Sequence, residues 1–496
     1  MNDHAAAEKE KDVLEELDER VPTAFYWKLT LLSTLGGFLF GYDTSNIGAA
    51  LNFVPYGLSG FWQGYLVAGA SVGAAVGALA AGTLTDRFGR KKLLVVDAAI
   101  YAIGAILSAV TPDAAVLLAA RTLIGLAIGA DSAIATAYIA EYAPKSRRGA
   151  LSMLQQWMIT VGILVAYLIA LVILRAAPGS AGTLDWRLIL GLGAVPALIG
   201  LVLRTTMPES PRWLMRQGRY EKAAEALRSF GMEDVSTEAI KKAARRIHRE
   251  EERRLNRRGS WTPGLKRALG VVCGFFVFQQ ITGINVPLYY GPHILGPIFQ
   301  GGGSSKVAST IAGVEVTSIM TAVNVAATYF GFRYIDRIGR RKLALGGFLG
   351  MGIFALVAAA GLGFASGDFR LVLVMVGLDF FIASFAVGVG GTGWLLQGEV
   401  FPTAVRGQAA ATGATVDWLA NFALIEVFPV WNSGIGLGWV LVCFAGLCVV
   451  AIAFVARFLP ETKGLSVEEV EAKFEAEAGG RQRSSSSQAP SVGLAH

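Results

Sequence analysis

The charged hexapeptide DRFGRK occupies residues 86–91 and recurs as DRIGRR at residues 336–341, 250 positions further along the chain. Two other motifs recur in the same order: E-x-x-P-x-x-x-R-G begins at Glu141 and Glu399, and P-E-S or P-E-T begins at Pro208 and Pro460. Their offsets are 258 and 252 residues, so the three pairs stay in register. One such pair arises easily by chance, but three in the same order predict that the chain is an internal duplicate.

Apolar runs long enough to cross a membrane separate the repeated motifs. The 496 residues are 53% hydrophobic and only 16% charged, whereas soluble domains carry about 25% charged residues. A helix needs roughly 20 apolar residues to cross about 30 Å of hydrocarbon. Such runs, numbered here as spans 1 to 12, lie at residues 27–49, 60–83, 93–110, 114–140, 150–174, 187–206, 266–290, 308–332, 343–364, 370–396, 407–430 and 437–459. Because a helix satisfies its own backbone groups in lipid, we predict an all-α polytopic membrane protein with twelve transmembrane helices in two pseudo-symmetric six-helix bundles.

The basic residues, which give the chain a net charge of +7, are concentrated in alternate connections. The connections on the other side hold only Arg175, Arg187, Lys306 and Arg370. Since Lys and Arg accumulate on the cytoplasmic side of membrane proteins, we predict a cell-membrane protein with both termini in the cytoplasm. The basic stretch 241–258 is typical of a solvated helix beside anionic lipid or of a nucleic-acid-binding arm. Twelve spans favour the first interpretation, so no nucleic-acid partner is expected.

The composition along the chain predicts five segments. They are a cytoplasmic N-terminal segment at 1–24, an N-terminal bundle at 25–207, a cytoplasmic helical linker at 208–265, a C-terminal bundle at 266–460 and a cytoplasmic tail at 461–496. The tail is expected to be disordered from about residue 479, because it becomes a Ser-rich low-complexity segment there. No P-loop, metal cluster or placed nucleophile is recognisable in the sequence. Neither an enzymatic activity nor a cofactor or metal is therefore expected.

Several motifs resemble those of a known transporter family. The pattern G-x-x-x-D-R-x-G-R-K at residues 82–91 resembles the signature of the major facilitator superfamily. The segments PESPR at 208–212, QQITGIN at 279–285 and PETKG at 460–464 resemble its sugar porter family. The resemblance implies the major facilitator fold and proton-coupled uptake of a monosaccharide or related polyol by alternating access. It also leads us to expect a monomer in the lipid bilayer.

Asp43 in span 1 and Arg121 in span 4 are the predicted proton-coupling residues. An ionisable group at the centre of a bilayer costs about 2.5–3.5 kcal/mol on insertion scales, so each such residue suggests a function. A pair whose separation changes during transport can bind and release a proton. In sugar porters that resemble this chain, an aspartate at the position of Asp43 accompanies proton-driven uptake, whereas passive carriers commonly have a neutral residue there. The alternatives are a static ion pair, a facilitative uniporter and, further away, a drug or organic-cation antiporter of the same fold.

The predicted sugar site consists of amide and aromatic side chains. Amides both donate and accept hydrogen bonds, and aromatic rings cover apolar faces. In span 7 such groups surround Gly283, where a break in the helix would direct them into the cavity. The resemblance implies sugar contacts by Gln156, Gln279, Gln280, Asn285, Asn324 and Trp394, and Trp418 and Asn421 are further candidates. For an isolated amide or Trp, packing between helices is the alternative.

Charged residues of the repeated motifs are the candidates for a cytoplasmic gate. Ion pairs that form in only one of two conformations stabilise that conformation selectively. The resemblance favours this function for Arg90, Glu141, Arg148, Arg340, Glu399 and Arg406, and Asp86 and Asp336 are further candidates. Charges that merely set the topology are the alternative. The roles of Asp131, Asp379 and Asp417 stay open. Asp131 follows Arg121 by ten residues, which suggests a common interior face, and Asp417 could contact a hydroxyl, titrate, pair with a basic group or serve packing.

Overall fold

In the computed structural model, every regular element of the described residues is a helix. The described residues are Val13, Glu16, Leu17, 24–142, 148–232, 235–257, 261–300, 305–401, 405–465 and 467–486. The predicted N-terminal segment 1–24 therefore lies almost entirely outside them. The repeated motifs lie at one end of the helices, which we call the motif face, and the other end is the opposite face.

The N-terminal half contains spans 1 to 6. Their helices are Ala24–Ser33 and Leu35–Ala50 for span 1, Phe61–Phe88 for span 2, Arg90–Val110 for span 3, Ala114–Tyr142 for span 4, Arg148–Ala176 for span 5, and Trp186–Gly191 with Ala194–Thr205 for span 6. Spans 2 and 3 are joined by Gly89 alone, whose φ of 94° lies in the left-handed region. Because glycine adopts this conformation without steric cost, the chain can reverse direction within the DRFGRK motif.

The C-terminal half contains spans 7 to 12. Its helices are Pro263–Ile281 and Asn285–Gln300 for span 7, Lys306–Ile338 for span 8, Arg340–Phe364 for span 9, Gly367–Gly388 and Thr392–Val400 for span 10, and Arg406–Phe458 for spans 11 and 12. A helix of 53 residues would be about 80 Å long, far more than one membrane crossing. Gly436, with φ 78° and ψ 156°, breaks it into two spans. Gly339, with φ 103°, repeats the turn of Gly89.

The apolar helices confirm the predicted all-α polytopic membrane protein. Ten helical stretches among the described residues are long and apolar enough to cross a membrane. The stretch Arg406–Phe458 supplies two of the twelve predicted spans. Span 1, which a break at Thr34 divides into helices of 10 and 16 residues, is not among the ten.

Spans 2 and 4 approach each other closely through reciprocal glycines. A Cβ atom on Gly73 would lie 2.0 Å from the Thr122 carbonyl oxygen, and one on Gly125 would lie 1.9 Å from the Ala70 carbonyl oxygen. Gly77 and Gly129 repeat this arrangement one turn away, against Leu126 and Ala74 respectively. Glycines spaced four residues apart therefore let the two backbones touch, as in other membrane helix pairs.

The variant Gly125→Ala is expected to destabilise the N-terminal half. The added methyl group has no space against the Ala70 backbone, and overpacking typically costs about 1–3 kcal/mol. Thermal unfolding in detergent should show a lower midpoint than for wild type. Gly446→Ala in span 12 is the matched control, since no atom lies within 4 Å of its added Cβ. Equal midpoints for the two variants would contradict the close contact.

The predicted linker and tail are helical where they are described. The linker contains helices Pro211–Arg216, Tyr220–Ser229 and Thr237–Arg257. The tail contains helix Val467–Ser486, and the disorder expected from about residue 479 stays a prediction. Val470 and Phe474 of this helix are buried in the core of the C-terminal half and hold the helix there. Residues 487–496 lie outside the described residues, and the five segment boundaries stay a prediction.

The two halves contact each other toward the opposite face. Arg175 at the end of span 5 forms an ion pair of 2.6 Å with Glu315 of span 8. Asn52, directly after span 1, donates to Thr310 of span 8 at 2.9 Å. These contacts hold the halves together at the end away from the repeated motifs.

Candidate functional site

The structure brings Asp43 and Arg121 together inside the N-terminal half. The Arg121 guanidinium forms an ion pair with the Asp43 carboxylate and donates from Nε to the Leu66 carbonyl oxygen at 3.3 Å. Arg121 is 0% exposed and Asp43 is 2% exposed. A pair so deeply buried in a membrane protein is held by its mutual charge, because either ion alone would carry a large desolvation cost.

Three of the predicted sugar-site residues belong to one hydrogen-bonded network, which also contains Asp417. Gln280 donates to the Asp417 carboxylate at 2.7 Å. The side-chain nitrogen of Asn285 donates to the side-chain oxygen of Gln280 at 2.7 Å and to the side-chain oxygen of Asn421 at 3.1 Å. Asn421 in turn donates to Ser71 of span 2 at 3.1 Å. The network therefore crosses from the C-terminal half to the N-terminal half.

A break in span 7 gives these amides their direction. The helix ends at Ile281 and a new helix begins at Asn285. Gly283 lies between them with φ 96°, a conformation that glycine adopts without strain. A Cβ atom on Gly283 would lie 2.3 Å from the Phe444 ring. The predicted break is therefore present, and both its backbone conformation and its packing require glycine.

Tyr289 lies between the network and the buried ion pair. Its side chain is buried and lies near Thr44 and Asn421. Thr44 is the neighbour of Asp43 in span 1. The sequence analysis did not find this connection, because an aromatic residue in an apolar helix carries no signal of which helices its hydroxyl will reach.

The other predicted sugar-site residues lie around this network without joining its hydrogen bonds. Trp418 is buried against Phe40, with ring centroids 4.9 Å apart. Trp394 packs against Phe276 at 5.3 Å. Gln279 donates to the Gly390 carbonyl oxygen at 3.2 Å, in the break of span 10. The backbone carbonyl oxygen of Asn324 accepts from the Thr328 hydroxyl. Gln156 is half-buried in span 5.

Gate candidates of the N-terminal half form ion pairs at the motif face. Arg90 contacts Glu141 at 2.8 Å and Asp86 at 3.1 Å. Glu209 of the PESPR segment accepts from the backbone N–H groups of Arg90 and Lys91, which begin span 3. A carboxylate at the N-terminus of a helix accepts from N–H groups that have no partner within the helix. The positive end of the helix dipole also stabilises its negative charge.

The C-terminal half repeats this arrangement. Arg340 contacts Glu399 at 2.6 Å, and Glu461 accepts from the backbone N–H groups of Arg340 and Arg341. Thr462 donates from Oγ1 to Glu399 at 2.6 Å. The three sequence motifs that recur in register therefore converge into one cluster in each half.

Three further predicted residues have other outcomes. Arg406 donates from Nε to the Phe401 carbonyl oxygen at 2.9 Å. The side chains of Arg148 and Asp336 lie outside the described residues. Their predicted gate function stays a prediction.

Asp131 does not share a site with Arg121 as the sequence suggested. Its carboxylate pairs with Arg204 of span 6 at 2.6 Å. Ten residues along a helix turn the side chain by about 280° and displace it by about 15 Å. The two residues therefore leave span 4 in different directions and at different depths.

The chain folds into two duplicated helical halves. One half contains a buried ion pair, and a polar network crosses between the two. This arrangement defines a membrane transport protein of the major facilitator type. A model of the family described as "Sugar (and other) transporter" matches residues 29–474. The chain belongs to this sugar transporter family.

Relatives and solved structures resemble the chain over most of its length. It is 34% identical to the arabinose-proton symporter of Bacillus subtilis, covering 93% of this chain and 99% of that protein. It is 35% identical to the glucose transporter GlcP of Staphylococcus epidermidis, with 91% and 98% covered. A structure of the xylose transporter XylE from E. coli in an inward open conformation is similar with a TM-score of 0.76, 30% identity and coverage of 90% and 99%.

Proposed function

We propose that the protein is a secondary active transporter that takes up a monosaccharide or related polyol together with a proton. The observation that carries the proposal is the position of Tyr289. This buried residue lies near Thr44, the neighbour of Asp43, and near Asn421 of the amide network, which bonds to Ser71 of the N-terminal half. A change at the ion pair can therefore alter the position of groups in the predicted sugar site, which is what coupling requires. The symport named for the arabinose-proton relative supports the same conclusion.

The proposal includes an orientation. With basic loops on the cytoplasmic side, the motif face is cytoplasmic, and so are both termini in the cell membrane. The contacts of Arg175 with Glu315 and of Asn52 with Thr310 then join the two halves at the outer face. The functional unit in the bilayer is a monomer.

The decisive experiment is an uptake panel in proteoliposomes. Purified protein is supplied with hexoses, pentoses and cyclitols, with and without an imposed pH gradient. We expect saturable uptake of at least one of these solutes and its accumulation only when the outside is acidic. Uptake without accumulation would instead identify a uniporter, and failure of every polyol to compete would overturn the substrate class.

The variant Gln280→Ala is expected to raise the KM for the transported sugar by roughly 10- to 100-fold. It removes an amide that orients both Asp417 and Asn285, and hydrogen bonds to charged groups contribute about 1.5–3 kcal/mol. Concentration-dependent counterflow measures the change without a pH gradient. Gln408→Ala is the control, because this amide is exposed at the start of span 11. An unchanged KM for Gln280→Ala would exclude the network from sugar binding.

A further inference from the structure

Three charged side chains from three spans meet in the N-terminal half, apart from the Asp43–Arg121 pair. They are Asp97 of span 3, Asp131 of span 4 and Arg204 of span 6, which are 4%, 3% and 1% exposed. Arg204 contacts Asp97 at 2.9 Å and Asp131 at 2.6 Å. With both carboxyl groups ionised, this buried cluster would carry one excess negative charge, which is costly in a protein interior within a membrane.

The guanidinium of Arg204 cannot neutralise both carboxylates. Besides the two ion pairs, its nitrogens donate to the backbone carbonyl oxygens of Leu32, Ser33 and Leu94. Four of its five N–H donors are thereby hydrogen-bonded, three of them to backbone carbonyl oxygens. Oδ2 of Asp97 and both carboxyl oxygens of Asp131 are buried without a hydrogen-bond partner, and the two carboxyl groups contact the same guanidinium. Two carboxylates so close together are stabilised by sharing one proton.

The fold keeps a small space open at these oxygens. A cavity lined by Gly36, Asp97, Tyr101, Asp131 and Arg204 has room for about one water molecule. Gly36 is essential to it, because a Cβ atom there would lie 1.4 Å from Oδ2 of Asp131. A water molecule in this space would have polar partners on several sides.

The cluster lies between Asp43 and the motif face. Asp97 follows Arg90 by seven residues, which places it about 10 Å from the motif-face end of span 3. Tyr101, one turn further along span 3, donates to the carbonyl oxygen of Leu39 at 3.0 Å, and Leu39 lies one helical turn from Asp43 in span 1. Tyr101 thus separates the two buried charge clusters.

We infer that Asp97 and Asp131 together bind one proton and form a second proton-binding site between Asp43 and the cytoplasm. The inference rests on the proposed proton coupling. The Asp43 carboxyl loses its proton as it pairs with Arg121, and a water molecule carries the proton past Tyr101. The carboxylate pair accepts it, which changes the charge of the cluster with Arg204 from −1 to 0. Release of the proton to the cytoplasm restores the charge of −1.

Infrared difference spectroscopy of purified protein tests proton occupancy independently of transport. Wild type should show a pH-dependent protonated-carboxyl band that shifts in D₂O. Asp97→Asn and Asp131→Asn should each abolish this band, whereas Asp43→Asn should retain it. Asp185→Asn is the matched control, because Asp185 is also buried in the N-terminal half but lies toward the opposite face. A band that persists in both single variants, or that Na⁺ removes at constant pH, would overturn the proton site.

Each single variant should remain folded, because Arg204 keeps one carboxylate partner and the cluster becomes neutral. The double variant Asp97→Asn/Asp131→Asn leaves the Arg204 charge unpaired and should lower the thermal unfolding midpoint well below that of either single variant. Equal midpoints for the double and single variants would contradict the charge balance on which the proton site depends.

Transport by the single variants tests the use of this proton. We expect Asp97→Asn and Asp131→Asn to slow pH-driven uptake roughly ten-fold while their rates of sugar counterflow stay at the wild-type value. The control Asp185→Asn should match wild type in both assays. If wild type accumulates sugar and both variants match its rate, the second site is not on the proton path. If wild type itself ignores the pH gradient, the proposed symport is wrong, while the infrared band still decides whether the pair holds a proton.

Discussion

Sugar accumulation driven by a pH gradient should be lost in Asp43→Asn, while counterflow of the same sugar continues. A pH difference of 2 units provides about 2.7 kcal/mol per proton, which supports an accumulation ratio of about 100 if one proton accompanies each sugar. Without a titratable group at position 43, the ratio should fall to about 1. Measuring the steady-state internal sugar concentration in proteoliposomes gives this ratio directly.

Counterflow separates coupling from folding in this experiment. Asparagine removes the negative charge that faces Arg121, and a buried charge without its partner costs about 3–5 kcal/mol. The double variant Asp43→Asn/Arg121→Gln removes both charges and should regain thermal stability without regaining accumulation. Accumulation that survives in the stable double variant would assign the coupling to another group, and the ion pair would then be a static link between spans 1 and 4.

The features that the sequence predicts well are those that depend on neighbours along the chain. Apolar runs of sufficient length predict the spans, and the recurring motifs predict the duplicated halves. The glycine within QQITGIN predicts the break in span 7, because residues 279–285 are contiguous and a local conformation decides where their side chains point. The same holds for the turns at Gly89 and Gly339, which allow the chain to reverse between consecutive helices.

Contacts that depend on helix rotation and on distant partners could not be predicted. Arg204 lies at the end of the apolar run 187–206, where a basic residue is typical of a topology signal at the cytoplasmic boundary. In the structure it is buried and joins Asp97 and Asp131, which precede it by 107 and 73 residues. No local pattern states which helix faces will meet, so neither the cluster nor the role of Tyr289 was recognised from the sequence.

The conformational balance should shift in Glu399→Gln, toward the state that is open at the motif face. Glu399 contacts Arg340 and Thr462 within the C-terminal half, while the contacts between the halves described above lie toward the opposite face. The gate prediction requires that this cluster form additional bonds with its counterpart around Arg90 when the motif ends approach each other. The carboxylate would then stabilise the closed motif face selectively.

The ratio of open to closed states can be measured as the distance between two spin labels. The labels are attached at Lys92→Cys and Lys342→Cys in a background without native cysteines. Both lysines are exposed at the motif-face ends of spans 3 and 9. Hydrogen bonds to charged groups contribute about 1.5–3 kcal/mol, so the loss of one that exists only in the closed state changes the open-to-closed ratio by roughly ten-fold or more.

Glu477→Gln is the matched control for the gate, because Glu477 also pairs with an arginine, Arg267, but joins the tail helix to span 7. Its label distances should match those of wild type. If Glu399→Gln lowers the unfolding midpoint and leaves the distance distribution unchanged, the Arg340–Glu399 pair is present equally in both states. A pair of that kind cannot shift the equilibrium between them, and the repeated motif charges would then set topology and stability without gating transport.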